Sequence, residues 1–335
     1  KDPRKFIVIS IPKQLFFVAQ VIFAIWARIK RVVAILRRNF YKETLFTKGM
    51  ADWSIGIYTG TSPLDLRSPK DMSNPVLTAL DIDDVPAIFV ADPFMIKKDS
   101  LFHLFFEVFN GNSKKGEIGL ATSKDGLQWN YKQIILEESF HISYPYVFEW
   151  EREYYMIPES SEQGSVRLYR AAQFPLKWTY STTLLKGTYA DTSVIYYNRT
   201  WWMFTVEAEK NDTLHLYYSD TLTGPWIKHP KSPIVVRNNR VSRPAGRMII
   251  YDGRIIRFAQ DCGKRYGSGV RTFEITKLTA DEYEEHEIAA SPILKASGTG
   301  WNKKGMHTVD SYQMEKGQWI AAVDGYQKDL LLIKY

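Results

Sequence analysis

The stretch SYPYVFEWEREYYMIPES, residues 143–160, reads as two β-strands joined by a charged turn. It opens on Tyr144-Pro145 and closes on an acid, Glu159, although Tyr154, Met156 and Pro158 before it suit an apolar setting. A strand that packs apolar side chains and then ends on a carboxylate is informative, because a buried charge is tolerated only when it is paired or hydrogen-bonded.

The same layout recurs on both sides of this stretch. Unit starts align as ADPFMI at Asp92, SYPYVF at Tyr144, DTSVIYY at Asp191, RPAGRMIIY at Arg243 and MHTVDSY at His307, at intervals of 52, 47, 52 and 64 residues. Second strands follow as LFHLFFEVF, EYYMIPE, RTWWMFTVE, GRIIRFAQD and GQWIAAVDGY, and third strands as GEIGLATS, GSVRLYRA, TLHLYYSD and GVRTFEIT. Three units end on a strand led by tryptophan, with Trp129, Trp178 and Trp226 in equivalent places. Self-similarity at this period is the mark of propeller blades, and the chain is expected to be an all-β, five-bladed β-propeller over 46–335. LLLIKY at the chain end supplies a third strand for the last unit, which then lacks a fourth. WSIGIYTG, near residue 53, is a strand without a unit, so the propeller is expected to be closed by this N-terminal strand.

Composition agrees with this class. Aromatic residues form 14% of the chain, which suits pleated, half-buried surfaces. One cysteine, Cys262, excludes an internal disulfide framework and any site built of several thiolates. The formal charge is +7, but residues 1–42 hold ten Lys and Arg against Asp2 alone, which leaves −2 for the rest. The body is near neutral, and no nucleic-acid partner is indicated.

Within that leader, Ile25, Ile29, Val32, Val33 and Leu36 recur at helical spacing among Arg28, Lys30 and Arg31, so a basic amphipathic helix or linker is expected over 1–45. Its apolar run from Leu15 to Ala27 is shorter than the roughly 20 residues a spanning helix needs. Docking on a neighbouring domain and lying on an anionic membrane surface through residues 14–38 are the two readings. The expected location is cytoplasmic, at a membrane surface only under the second of these readings, and the lumen of the secretory pathway is the alternative. The sequons at Asn198 and Asn211 do not choose between them.

In a propeller the innermost strand of each blade lines the central channel. The residues that lead these strands, Asp92, Tyr144, Asp191, Arg243 and His307, should therefore converge on one mouth, joined by Glu107, Glu159, Glu207, Gln260, Asp261 and Asp324 from the second strands. Several convergent polar groups in one concavity are the usual mark of a site. With Tyr144, Tyr146, Trp201 and Trp202 as apolar platforms for sugar faces, a carbohydrate ligand is the expectation. Two carboxylates facing a bond would serve as acid and base or nucleophile. The competing structural reading has these residues cap strand ends or pair across blades, with Arg243 neutralising one acid.

No metal or cofactor is indicated: the six histidines lack HExxH spacing, and His307 beside Asp310 reads as a hydrogen-bonding group near the funnel. GKRYGSG, residues 263–269, lacks the P-loop spacing and helix that phosphate cradling needs, and reads as a turn between blade strands. The Trp-Asp signature of the interaction propellers is absent.

The blade openings resemble, broadly, the five-bladed furanosidase superfamily of glycoside hydrolase families 43, 32, 62 and 68. A more specific resemblance rests on ADPFMI (91–96), HISYPYVFEWEREYYMIPESSEQGSVRLYRA (141–171), FPLKW (174–178), WWMF (201–204), RPAGR (243–247), AQDCGKRYG (259–267), LTADEYEE (278–285) and HTVD (307–310). These motifs are similar to the propeller domain on the N-terminal side of plant glucosamine inositolphosphorylceramide transferases and of bacterial proteins, some with a formyltransferase-like domain upstream. The hydrolase resemblance implies a base or nucleophile at Asp92 and an acid at Asp191, with Glu159 the other candidate acid. Where those enzymes place an orienting Asp on the second blade, this chain has Tyr144. The resemblance thus implies either a glycosidase or transglycosidase, or a non-catalytic glycan-binding domain serving a fused or partner glycosyltransferase or formyltransferase. Arg243, Gln260, Asp261, Glu107, His307, Asp310, Trp202 and Tyr144 are the candidate substrate-binding residues around the funnel.

Overall fold

A computed structural model describes residues 50–330. The leader helix expected over 1–45 lies outside the described residues, as do residues 331–335.

The first blade runs outward through Ala87–Lys98, Leu101–Asn110, Lys115–Ser123 and Asn130–Leu136. Blade 2 is built from Ser143–Trp150, Glu153–Glu159, Ser165–Gln173 and Lys177–Lys186, and blade 3 from Tyr189–Tyr197, Thr200–Glu207, Leu214–Ser219 and Ile227–Lys228. In blade 4, Ile249–Tyr251, Arg254–Gln260, Gly269–Leu278 and Tyr283–Glu287 form the sheet, and Leu294–Lys295 also pairs with its third strand. The inner hairpins are set by short turns. Glu151-Arg152 and Asn198-Arg199 have positive φ at both residues, as do Asp252 and Gly253, the geometry that matches the twist of the flanking strands.

Blade 5 departs from the expected order. Val309–Gln313 and Trp319–Gly325 are its inner strands, and its third strand is Ser54–Ser62, paired antiparallel from Ser54↔Gly325 to Gly60↔Trp319. Asp65–Arg67 is the fourth. The third-strand slot expected for LLLIKY is therefore filled from the N-terminal side. Asp329–Leu330, where that stretch begins, pairs instead with Met50–Ala51. Ile55 and Ile57 explain the preference: both are fully buried between blades 5 and 1 against Val90, Phe106 and Ile320.

The core is distributed along the seams between blades. Phe94, Phe105, Tyr144, Tyr146 and Met156 pack blade 1 on blade 2. Trp202, Phe204, Met248 and Ile275 pack blade 3 on blade 4, and Phe258, Val309 and Ala321 pack blade 4 on blade 5. Two of the repeated tryptophans hold the outer strands alike, Trp129 Nε1 donating to Gly126 O and Trp178 Nε1 to Pro175 O, each at 2.9 Å.

Three inner strands are bent at equivalent places. The pairing with the second strand slips between Ala91 and Phe94, between Ser143 and Tyr146, and between Ala190 and Ser193. The residues at the slips, Asp92, Tyr144 and Asp191, have φ of 52°, 45° and 48°. Such a bulge re-aims a side chain at some conformational cost. It turns Asp92 and Asp191 toward the channel, while the Tyr144 side chain reaches into the seams between blades.

Candidate functional site

At this end of the channel lies an open cavity of 490 Å³, walled by Asp92, Glu107, His141, Glu159, Arg243 and His307, with Trp53 and Tyr266 among its aromatic lining. Five of the residues expected at the funnel thus meet there: Asp92, Glu107, Glu159, Arg243 and His307.

Asp92 sits in a network joining blades 1 and 5. Its Oδ1 accepts from Thr308 Oγ1 at 2.9 Å, and its backbone N–H donates to Asp324 Oδ2 at 3.0 Å. The His307 ring lies between the two acids, Nε2 at 3.4 Å from Asp92 Oδ1 and Nδ1 at 2.7 Å from Asp324 Oδ2. Burial pushes the Asp92 carboxyl up to about 6, the facing His307 partly offsetting it. Burial pulls against a charged His307, but Asp324 and Asp92 win and hold its pKa above the usual histidine range. Trp53 stacks on the other face of this imidazole, centroids 3.9 Å apart. Asp92, His307 and Asp324 bring ligand atoms within 4.8 Å of one another, a grouping that could hold a metal. Asp92 Oδ1 already accepts from Thr308 and Asp324 Oδ2 from the Asp92 N–H, while His307 Nδ1, although 2.7 Å from Asp324 Oδ2, is not aligned for a hydrogen bond.

Across the cavity, Glu107 and Glu159 end the second strands of blades 1 and 2. Glu107 Oε1 lies 3.6 Å from His141 Nε2, and Glu159 Oε2 lies 4.0 Å from the same nitrogen. His141 Nδ1 accepts from Gly116 N at 2.9 Å, which assigns the ring proton to Nε2, facing both carboxyls. Burial lowers the His141 pKa and favours its neutral form. With no fixed cation beside it, Glu107 is held well above the usual carboxylate range by burial and then by Asp92 and Glu159. Glu159 is raised too, chiefly by burial, although its Oε1 accepts the Ser161 N–H at 3.1 Å. Gly116 makes room for this pair, because a Cβ there would come within 2.7 Å of Glu107 Oε1 and 2.4 Å of Ile142 O.

Asp191 is brought to the funnel but shut behind a clamp. Arg243 Nε and Nη2 donate to its two oxygens at 2.6 and 3.1 Å, and Gln260 Nε2 adds a third bond at 2.7 Å. Asp191 is 1% exposed, so its carboxylate is committed to the guanidinium. Here the pairing reading holds, since Arg243 neutralises this acid. Arg243 also donates to Asn211 Oδ1 at 2.6 Å and lies under the Tyr266 ring at 5.3 Å.

Asp191 and Gln260 do not line the cavity, and four further candidates also lie outside it. Tyr144 is fully buried, its hydroxyl accepting from Gly246 N at 2.6 Å and paired with Ser193 Oγ at 2.9 Å, so it ties blades 2, 3 and 4 together. Trp202 packs in the seam of blades 3 and 4, with Nε1 donating to Tyr197 O. Asp261 binds Arg271 at 2.8 Å and the N–H of Gly263, shaping the loop that follows blade 4's second strand. Asp310, three residues beyond His307, pairs with Arg247 at 2.8 Å and accepts from Met95 N at 2.6 Å, in a second polar layer deeper in the channel. The platforms expected at Tyr146 and Trp201 are likewise buried among the seams. Reading by strand position missed Trp53, His141 and Tyr266. His141 and Tyr266 fall inside quoted motifs, but outside the inner-strand leaders and second-strand ends used to choose candidates.

A five-bladed β-propeller with an acid-lined funnel is the class these features define. The fold is shared with solved sugar hydrolases: the catalytic domain of a GH62 α-L-arabinofuranosidase from Coprinopsis cinerea superposes with a TM-score of 0.53 at 13% identity, over 83% of this chain and 98% of that one. Residues 47–326 match the family "Glucosamine inositolphosphorylceramide transferase 1, N-terminal", and the chain belongs to it. Among full-length relatives, glucosamine inositolphosphorylceramide transferase 1 of Oryza sativa subsp. japonica is 38% identical over 300 residues, which cover 83% of this chain and 40% of that protein. The Arabidopsis thaliana protein of the same name is 35% identical over 297 residues, 82% of this chain and 39% of that protein. The chain thus spans about two-fifths of the length of these relatives.

Proposed function

We propose that the funnel binds a sugar residue of a glycan or glycolipid, with a cationic amino sugar as its preferred ligand. The observation that carries this is the acid excess of one open cavity. Arg243 is spent on Asp191, so Asp92, Glu107 and Glu159, with Asp324 buried behind His307, answer to His307 and a His141 whose neutral form is favoured. A ligand ammonium would supply the missing cation, and the glutamates, whose pKa values burial raises, suit sugar hydroxyls as Trp53 suits an apolar sugar face. The names of the plant relatives, which include glucosamine, support the same reading.

The set also supports acid–base chemistry. Glu159, whose pKa burial raises, would give its proton to a glycosidic oxygen, while Asp92, pushed up to about 6, would take the proton of an attacking water. Asp191 is the poorer acid because its carboxylate is clamped. A second reading, binding without turnover on behalf of a transferase domain, is favoured by Tyr144, which stands where the hydrolase resemblance implies an orienting acid and points its hydroxyl into the blade seams.

Calorimetry with glucosamine and glucose at about pH 7.5 tests the binding claim. Glucosamine should bind about tenfold tighter and release protons as the glutamates ionise. Equal affinities, or no binding of either, would sink it. Release of the aglycone from aryl glycosides, abolished by Asp92→Asn and by Glu159→Gln, would establish turnover. Binding without release would leave the second reading.

A further inference from the structure

The loops that wall the funnel have a second face. Residues 262–273 carry Lys264, Arg265 and Arg271 and no acid, and residues 288–309 carry Lys295, Lys303 and Lys304 and no acid. Backbone bonds lace the two stretches together: Gly269 and Val270 pair with Lys295 and Leu294, Met306 N donates to Gly267 O at 2.9 Å, and Ala296 N donates to Ser268 O at 3.4 Å. Gly305 permits the approach, since a Cβ there would fall 2.2 Å from Gly267 O. Between them lies a cleft of 470 Å³ lined by Lys264, Arg265, Ser268, Lys295, Lys303 and Lys304, and no carboxylate lines it.

Lys264, Arg265, Lys295 and Lys303 are exposed, and among the described residues none of these four is in an ion pair. The acid nearest in sequence to the first stretch, Asp261, is committed to Arg271 and Arg240. Five cations around one concavity repel one another, and a multiply charged anion relieves that repulsion. Lysine ammoniums are mobile point-charge donors suited to phosphate oxygens, and an arginine adds a planar fork.

We infer that this cleft binds the phosphoryl group of a ligand. It goes beyond the sugar reading of the funnel and stands apart from it, although the two sites share a wall. Tyr266 and His307 face the funnel, while Lys264, Arg265, Lys303 and Lys304 face the cleft. The phosphoryl group belongs either to a lipid headgroup or to a soluble phosphate, and the arms of the test separate these sources.

The full chain is titrated with inorganic phosphate by calorimetry at near-physiological ionic strength. It is also sedimented with vesicles of phosphatidylcholine containing phosphatidylinositol, and with vesicles of phosphatidylcholine alone. Two charge reversals on exposed side chains, Lys264→Glu with Lys303→Glu and Arg265→Glu with Lys295→Glu, are compared with wild type, and glutamine versions replace any that lower the melting midpoint. Phosphate affinity should fall about tenfold or more in both variants, with glucosamine binding at the funnel unchanged. A parallel loss of binding to the phosphatidylinositol vesicles identifies a lipid headgroup. Vesicle binding unchanged from wild type, as the basic leader would sustain, identifies a soluble phosphate. Wild type that fails to bind phosphate, or variants that bind it as wild type does, overturns the inference.

Discussion

Glu107 is 5% exposed and has a neutral-leaning imidazole where a buried carboxylate would want a cation. Its folded pKa is raised, so its favourable contribution is complete below the ordinary glutamate pKa and is lost as pH rises through the folded value. Glu107→Gln keeps the shape of the protonated acid and removes that loss. The variant should melt with wild type near pH 4.5 and about 2–4 °C above it at pH 8, read by calorimetry; a variant that melts below wild type at pH 8 contradicts the assignment. Asp191→Asn has the opposite effect, because it strands the buried Arg243 guanidinium. A loss of about 3–5 kcal/mol in denaturant unfolding is expected. A strand that ends in a carboxylate is legible in sequence, and Glu107 and Glu159 were found that way. That Asp191 would be spent on Arg243, 52 residues away, was not legible in position, because a guanidinium reaching across a seam has no spacing of its own.

Strands and turns were legible because their signals are local: recurring strand-like runs, tryptophans at the outer strands, and the charged turn at Glu151-Arg152. The bulge at the second blade was not, since Tyr144 leads its strand as Asp92 and Asp191 do. Yet its ring packs at 4.8 Å against Phe94, and its hydroxyl reaches Gly246. Inner-strand leaders were expected to share one destination, and the size of the side chain decided otherwise: a carboxylate stays at the mouth while a phenol spans to the next blades. Tyr144→Phe leaves the Gly246 N–H and Ser193 without this partner. It should cost about 1–3 kcal/mol in urea unfolding and leave sugar affinity as in wild type. A loss of sugar affinity at unchanged stability would move Tyr144 into the site. At the same seam, Gly246 has φ 136°, and a Cβ would fall 1.8 Å from Val309 O, so Gly246→Ala should lower stability by at least about 3 kcal/mol.

At the scale of the molecule, the repeat announced a propeller, but two stretches competed for one slot in blade 5. Both WSIGIYTG and LLLIKY have strand character. The choice rests on Ile55 and Ile57 packing between blades, a tertiary term invisible to local pattern. Removing residues through Arg67 should leave the Trp319–Gly325 edge unpaired and Ile320 uncovered, giving a chain that aggregates on size exclusion and melts without cooperativity. A truncated chain that stays monomeric and melts sharply would show that the pairing is dispensable. The arrangement of the blades matters for function because it brings Asp92 of blade 1, Glu159 of blade 2 and His307 of blade 5 to one cavity. The most direct test of that cavity as a sugar site is a crystal structure of the chain soaked with glucosamine. The account predicts the sugar in the funnel, its amine within about 3.2 Å of the Glu107 or Glu159 carboxyl and its ring against Trp53. A sugar bound elsewhere on the propeller, with the funnel holding only water, would contradict it.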